Sequence, residues 1–143
     1  MALYDQVMEA AAAIQARSGL KPAVGMILGS GLGDLAAEIR DATAIPYGEI
    51  PHFLRSTVVG HAGRLLLGTL EDVPVVVMQG RFHFYEGYPL QALTLPVRVM
   101  RALGALTSHH HGVRFRFDHA RPGNDRQPPI TKRGRANLKR FCL

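Results

Sequence analysis

Apolar residues recur at two different periods along this chain, and the switches between them set out the expected elements. Leu3, Val7, Ala11 and Ile14 fall at helical spacing through ALYDQVMEAAAAIQARSG, and Gly19 followed by Lys21-Pro22 supplies a stop, which predicts a first helix. PAVGMILGSGLGDLAAEI then reads as a strand over 23–28, a glycine-rich turn over 29–33 and a short helix over 34–39. AIPYGEIPHF is punctuated by proline and predicts irregular chain. RLLLGTL and VPVVVMQ flank the turn residues Glu71-Asp72 and predict two paired strands; Val73 to Met78 is β-branched and apolar almost throughout, which suits a strand covered on both faces. From Pro89 onward Leu90, Leu93, Val97 and Met100 form another helical face running to Leu103 and Gly104, inside which Pro96 predicts a kink or a break. After Thr107 neither period is sustained, a Pro-Pro pair appears and aliphatic residues become few, so a poorly structured segment is expected.

A chain of 143 residues that is 47% hydrophobic and 20% charged is one ordinary domain with enough apolar surface for a real core. The N-terminus carries Asp5 and Glu9 inside an amphipathic pattern and lacks the apolar region of a signal peptide. No uninterrupted apolar run is long enough to span a bilayer. The single cysteine, Cys142, has no partner for an internal disulfide, which fits a reducing cytoplasm. A net charge of +6 raises the question of nucleic acid, but its distribution changes the picture. Residues 1–107 hold eight Lys and Arg against nine Asp and Glu, whereas residues 108–143 hold nine against two, giving −1 and +7. The basic character therefore belongs to the C-terminal segment.

Candidate chemistry gathers at strand ends. GRFHFYEGY (80–88) follows directly on the apolar run of the second paired strand. If its backbone stays extended past Gly80, Arg81, His83 and Tyr85 point one way and Phe82 and Phe84 the other, placing a cation, an imidazole and a phenol in a row. An arginine that snorkels and a tyrosine of the core would give the same letters. In GSGLG (29–33) glycines let the backbone turn tightly and present N–H groups to an anion, with Ser30 adding a hydroxyl and the following helix its N-terminal end. Asp34 stands where a dinucleotide fingerprint has its third glycine, and no Gly-Lys-Ser/Thr follows as in a P-loop; a merely tight turn accounts for GSGLG equally well. His61 occupies a glycine-flanked turn, VVGHAGRLLLG, that leads into a strand. Taken together, Ser30, His61, Arg81 and His83 all sit at strand or turn boundaries and all can hydrogen-bond a tetrahedral oxyanion, which points to phosphate.

GMILGSGLGDLAAEI, the IPHF segment, VVGHAGRLLLG, GRFHFYEGYPL and LPVRVMRALG, in that order over about residues 1–106, resemble the N-terminal half of the purine nucleoside phosphorylases of the trimeric, 6-oxopurine-preferring class. The resemblance implies an α/β fold on a mixed sheet and phosphorolysis of inosine- or guanosine-type nucleosides to purine base and ribose 1-phosphate. It implies that Ser30, His61, Arg81 and His83 hold the attacking phosphate, that Tyr85 contacts the ribose and that Glu86 steadies His83, making His83 and Glu86 the catalytic pair. It further implies a homotrimer, inorganic phosphate as co-substrate, and no metal or organic cofactor. Its location would be cytoplasmic, with no membrane partner.

The family pattern continues with a strand, an Asn-Ala-Ala-Gly-Gly type loop and later residues that read the purine, and residues 107–143 do not follow it. The expected fold class is thus a partial, truncated mixed-sheet phosphorylase fold over 1–106 with an irregular basic tail over 107–143. The abrupt change of texture is what translation in a shifted frame or a mispredicted exon end produces, and little or no turnover is expected of such a chain. In the tail, His109-His110-His111 cannot all face one ion on regular structure, and no cysteine or spaced carboxylate completes a set, leaving adventitious nickel or zinc binding only. A second function class is nonspecific nucleic-acid binding by the tail, with Phe115 and Phe117 between arginines available for stacking; charge runs are more often simply solvated.

Overall fold

The computed structural model describes residues 1–28, 33–55, 63–80, 87–105, 107–110 and 113–116. A first helix, α1 (Leu3–Arg17), precedes strand β1 (Val24–Leu28), short helix α2 (Gly33–Ala37) and strand β2 (Arg40–Pro46). A single 3-10 turn over Tyr47–Glu49 follows, then β3 (Arg64–Leu70), β4 (Val73–Gln79), α3 (Leu90–Leu103), β5 (Thr107–His110) and β6 (Val113–Arg116). The six strands form one mixed sheet in the order β2-β3-β4-β1-β5-β6. β1 runs parallel to both β4 and β5, and the pairs β2/β3, β3/β4 and β5/β6 are antiparallel.

The central strands bury both faces because their apolar runs are continuous rather than alternating. On one face Leu65 and Leu67 of β3 with Val76 and Met78 of β4 pack under α1 and α3, joined by Val7, Ala10, Ala11 and Ile14 of α1 and Leu95, Val99, Met100 and Leu103 of α3. On the other face Val24, Met26 and Leu28 of β1 meet Leu66 and Leu70 of β3 and Val73, Val75 and Val77 of β4, with Leu35 and Ala36 of α2 over them. At roughly 1.5–3 kcal/mol per fully buried aliphatic side chain, β4 alone, with Val75, Val76 and Val77 all sealed, anchors the body of the molecule. α3 lies so close over β1 that a Cβ on Gly25 would come 2.8 Å from Met100 Sδ.

Local chemistry explains most boundaries. α1 has Asp5 in its first turn and Arg17 in its last, both favourable to the helix dipole, and Ser18 leaves it in an extended conformation. α3 stops at Gly104, whose φ of 123° ends the helix while its N–H still reaches the carbonyl oxygens of Met100 and Arg101. Pro96 neither breaks nor shortens α3: it lies inside a continuous helix and is buried, so packing against the sheet outweighs the one hydrogen bond its ring forgoes.

Two stretches differ from the expectation. AIPYGEIPHF, read as irregular, contributes its first three residues to β2 and the next three to the 3-10 turn; Pro46 is tolerated because it ends an edge strand. Residues 107–110 and 113–116, inside the segment read as irregular, form β5 and β6. β5 is added to the sheet through its backbone pairing with β1, from Val24↔Thr107 to Ile27↔His110, a gain that requires no hydrophobic period. Residues 117–143 lie outside the described residues.

Candidate phosphate site at one end of the sheet

Ser30, His61, Arg81, His83, Tyr85 and Glu86 all lie outside the described residues, but the residues on which each segment is mounted are described. β1 ends at Leu28, paired with Gln79, the last residue of parallel β4, so the chain enters Gly29–Ser30 and approaches Arg81 from the same end of neighbouring strands. β3 begins at Arg64, which is also paired with Gln79, so the segment containing His61 enters the sheet at that end too. Since β3, β4 and β1 are consecutive, the three attachment points span two interstrand spacings, on the order of 10 Å. The topology thus brings the mounts of all the expected phosphate ligands to the carboxyl ends of parallel strands, where open α/β sheets bind ligands.

β5 ends at this same end, with His110 beside Ile27. Of the histidine triplet, His109 and His110 are strand residues, and His111 lies outside the described residues. α2 spans Gly33–Ala37 rather than 34–39, so any anion affinity of the preceding turn depends on its own N–H groups more than on a five-residue helix.

The described side chains at this end hold its mounts in place. Arg64 Nε donates to Gln79 Oε1 at 2.6 Å, tying the entry of β3 to the exit of β4. Tyr47, which composition and periodicity did not single out, is 1% exposed. Its backbone N–H donates to the Gly63 carbonyl at 2.9 Å, and its hydroxyl donates to the Gly80 carbonyl, also at 2.9 Å. Burial holds its phenol well above the usual tyrosine range, so it stays protonated and able to donate. Phe53 packs against its ring, with centroids 5.8 Å apart. The 3-10 turn that carries Tyr47 is fastened to α1: Arg17 pairs with Glu49, and His52 Nε2 donates to Glu9 Oε2 at 2.7 Å. The sequence signal for Tyr47 was an aromatic inside a proline-punctuated stretch, which hydrophobic periodicity does not register.

Known proteins share this sequence and fold over part of their length. No protein-family model matches the chain. Purine nucleoside phosphorylase 1 of Bacillus subtilis is 57% identical over 119 residues, covering 80% of this chain and 44% of that protein. The purine nucleoside phosphorylase of Bos taurus is 47% identical over 104 residues, covering 73% and 36%. Among solved structures, the purine nucleoside phosphorylase of Schistosoma mansoni superposes with a TM-score of 0.70 at 47% identity, over 74% of this chain and 39% of that one. Isoform 2 from the same organism, in complex with cytosine and ribose-1-phosphate, gives 0.71 at 45% identity, over 75% and 38%. The chain spans less than half the length of these relatives. By sequence over about three quarters of its residues and by the fold they adopt, the chain matches the purine nucleoside phosphorylases over part of their length.

Proposed function

We propose that this chain supplies the phosphate-binding portion of a purine nucleoside phosphorylase site, with Ser30, His61, Arg81 and His83 holding inorganic phosphate, Tyr85 against the ribose and Glu86 steadying His83. The observation that supports the proposal is that β1 ends before Ser30, β3 begins after His61 and β4 ends before Arg81 at one end of three adjacent strands. In the reaction, a phosphate oxygen attacks the anomeric carbon as the bond to the purine nitrogen breaks; the electron pair leaves with the purine, which takes up a proton. The ribose passes through an oxocarbenium-like state, so a phosphate held at its face both supplies the nucleophile and stabilises the developing positive charge. Positioning and electrostatics do the catalysis, and Arg81 supplies the largest charge.

None of the residues named here reads the purine, so phosphate binding is the direct readout for this chain and phosphate-dependent release of hypoxanthine from inosine the readout for the complete site. Calorimetric titration with inorganic phosphate should show binding to the chain and a loss of about tenfold or more in Arg81→Ala, the usual cost of removing a charge-assisted partner. Unchanged affinity in that variant removes Arg81 from the site. A homotrimer and a cytoplasmic location are further expectations of the same reading; sedimentation tests the first. Among the described residues no helix is long and apolar enough to cross a membrane. The nucleic-acid reading of the basic tail gains no support from the relatives, which are phosphorylases. A shifted reading frame is still proposed for the departure from the family pattern. The strands at 107–110 and 113–116 count against a wholly irregular tail. Translating the source gene in three frames from the Arg101 codon tests it: another frame should continue the family pattern.

A further inference from the structure

We propose that Tyr47 is a positioning residue of the phosphate site, setting two of its ligand-bearing segments relative to each other; this rests on the phosphate reading above. Two hydrogen bonds carry the inference. The Tyr47 backbone N–H is bonded to the carbonyl of Gly63, two residues after His61, and the Tyr47 hydroxyl is bonded to the carbonyl of Gly80, immediately before Arg81. Both glycines have positive φ, 52° and 109°, so each marks a place where the chain turns at the end of its strand. A single buried residue therefore holds the hinge of the His61 segment through its main chain and the hinge of the Arg81 segment through its side chain.

The residue itself is fixed. It is 1% exposed, its carbonyl accepts from the Ile50 N–H at 3.1 Å, and Phe53 packs on its ring. Water has little access to a hydrogen bond in such a place, so the bond to Gly80 is not readily exchanged for solvent. Tyr47 touches no reacting group on this account. Its effect is geometric: a displacement of the Gly80 hinge moves Arg81 relative to His61, and a bidentate grip on phosphate tolerates little displacement.

An ordinary core tyrosine would stabilise the fold without affecting phosphate, and Tyr47→Phe separates the two accounts because it keeps the ring and removes only the hydroxyl. Phosphate affinity of the full chain should fall about five- to tenfold in Tyr47→Phe, the range expected for one lost hydrogen bond. Val99→Ala, a truncation in α3 that removes no hydrogen bond to Gly63 or Gly80, should lower the melting temperature at least as much and leave phosphate affinity unchanged, measured well below both midpoints. Independently of any variant, saturating inorganic phosphate should slow hydrogen exchange at the Tyr47 amide of the wild-type protein, because coupling between the two places is reciprocal. Wild-type affinity in Tyr47→Phe, an equal loss in Val99→Ala, or unaltered exchange at Tyr47 would each overturn the inference. Absence of phosphate binding in the wild-type chain would instead bring down the phosphate reading, and the inference with it.

Discussion

At one end of the sheet β3 turns into β4 through two residues, Glu71 and Asp72, held at φ of 48° and 63° although neither is glycine. At the opposite end Gly63 and Gly80 take the positive-φ positions, at 52° and 109°, beside the segments that carry His61 and Arg81, His83 and Tyr85. The first end is closed by the shortest connection an antiparallel pair allows. The second is where the parallel strands β1 and β4 finish, the place at which open α/β sheets bind ligands. Side chains strained at a tight hairpin affect stability alone, whereas glycine at Gly63 and Gly80 adopts positive φ without that strain. The difference separates a scaffold end from the end proposed to bind phosphate, and the two should respond separately to substitution.

The largest effect expected at the closed end comes from Gly68→Ala. A Cβ there would lie 2.5 Å from Ile39 Cγ2 and 2.6 Å from the Arg40 carbonyl oxygen. A side chain tip can move aside, but the carbonyl belongs to the start of β2, which pairs with β3 from Arg40↔Thr69 onward. Overpacking of this kind costs about 1–3 kcal/mol, and the backbone clash places Gly68→Ala toward the upper figure. Denaturant unfolding should show that loss while phosphate affinity, measured under conditions where the variant is folded, stays unchanged. A weakened phosphate site in Gly68→Ala would break the division between the two ends.

Tyr47→Phe probes the open end through pH. At neutral pH the variant should be less stable by about 1 kcal/mol, the net worth of the hydrogen bond to Gly80. Burial raises the folded-state pKa of this phenol above the ordinary value of about 10, so the folded protein keeps the proton more tightly than the unfolded chain does. That contribution is complete below pH of about 10 and is lost as the pH rises toward the folded value. The advantage of the wild type over Tyr47→Phe should therefore shrink above pH 10, and a constant difference between them up to pH 11 would contradict the burial of the hydroxyl.

How much of this was legible beforehand depended on which force shapes each element. α1, the β3–β4 hairpin and α3 are visible in the sequence because their stability comes from a periodic apolar face, with Val7, Ala11 and Ile14 or Leu65, Leu67, Val76 and Met78 at the required spacings. β2 and β5 are not visible in that way, since partner strands impose them: β2 ends at Pro46 and bulges between Arg40 and Thr43, with Asp41 at φ 51°, and β5 has the letters TSHH. Residue chemistry suggested an anion at Ser30, His61, Arg81 and His83, but only the pairing of Leu28 and Arg64 with one residue, Gln79, shows that their segments are mounted side by side. Tyr47 escaped notice because its function depends on where its two hydrogen bonds go, and nothing local in PYGEI encodes partners at Gly63 and Gly80.

The smallest effects should come from a mirrored pair of substitutions that exchange the chemistry of the two ends. Asp72 occupies a left-handed conformation that costs a residue with a Cβ about 1 kcal/mol or more, so Asp72→Gly removes that strain from the hairpin. Glycine also has more freedom to lose on folding, by about 0.5–1 kcal/mol, and the net gain should be a few tenths of a kcal/mol. Gly87, between the Arg81 segment and α3, has φ of 81° with nothing within 4 Å of where a Cβ would sit. Gly87→Ala therefore meets no clash and should still destabilise by a few tenths of a kcal/mol, the left-handed strain less the same entropy term. Thermal melts of the two variants should move in opposite directions from the wild type. Opposite shifts would mean that the hairpin tolerates strain which the proposed binding end avoids by using glycine; shifts of the same sign would mean that packing, not left-handed backbone, decides both positions.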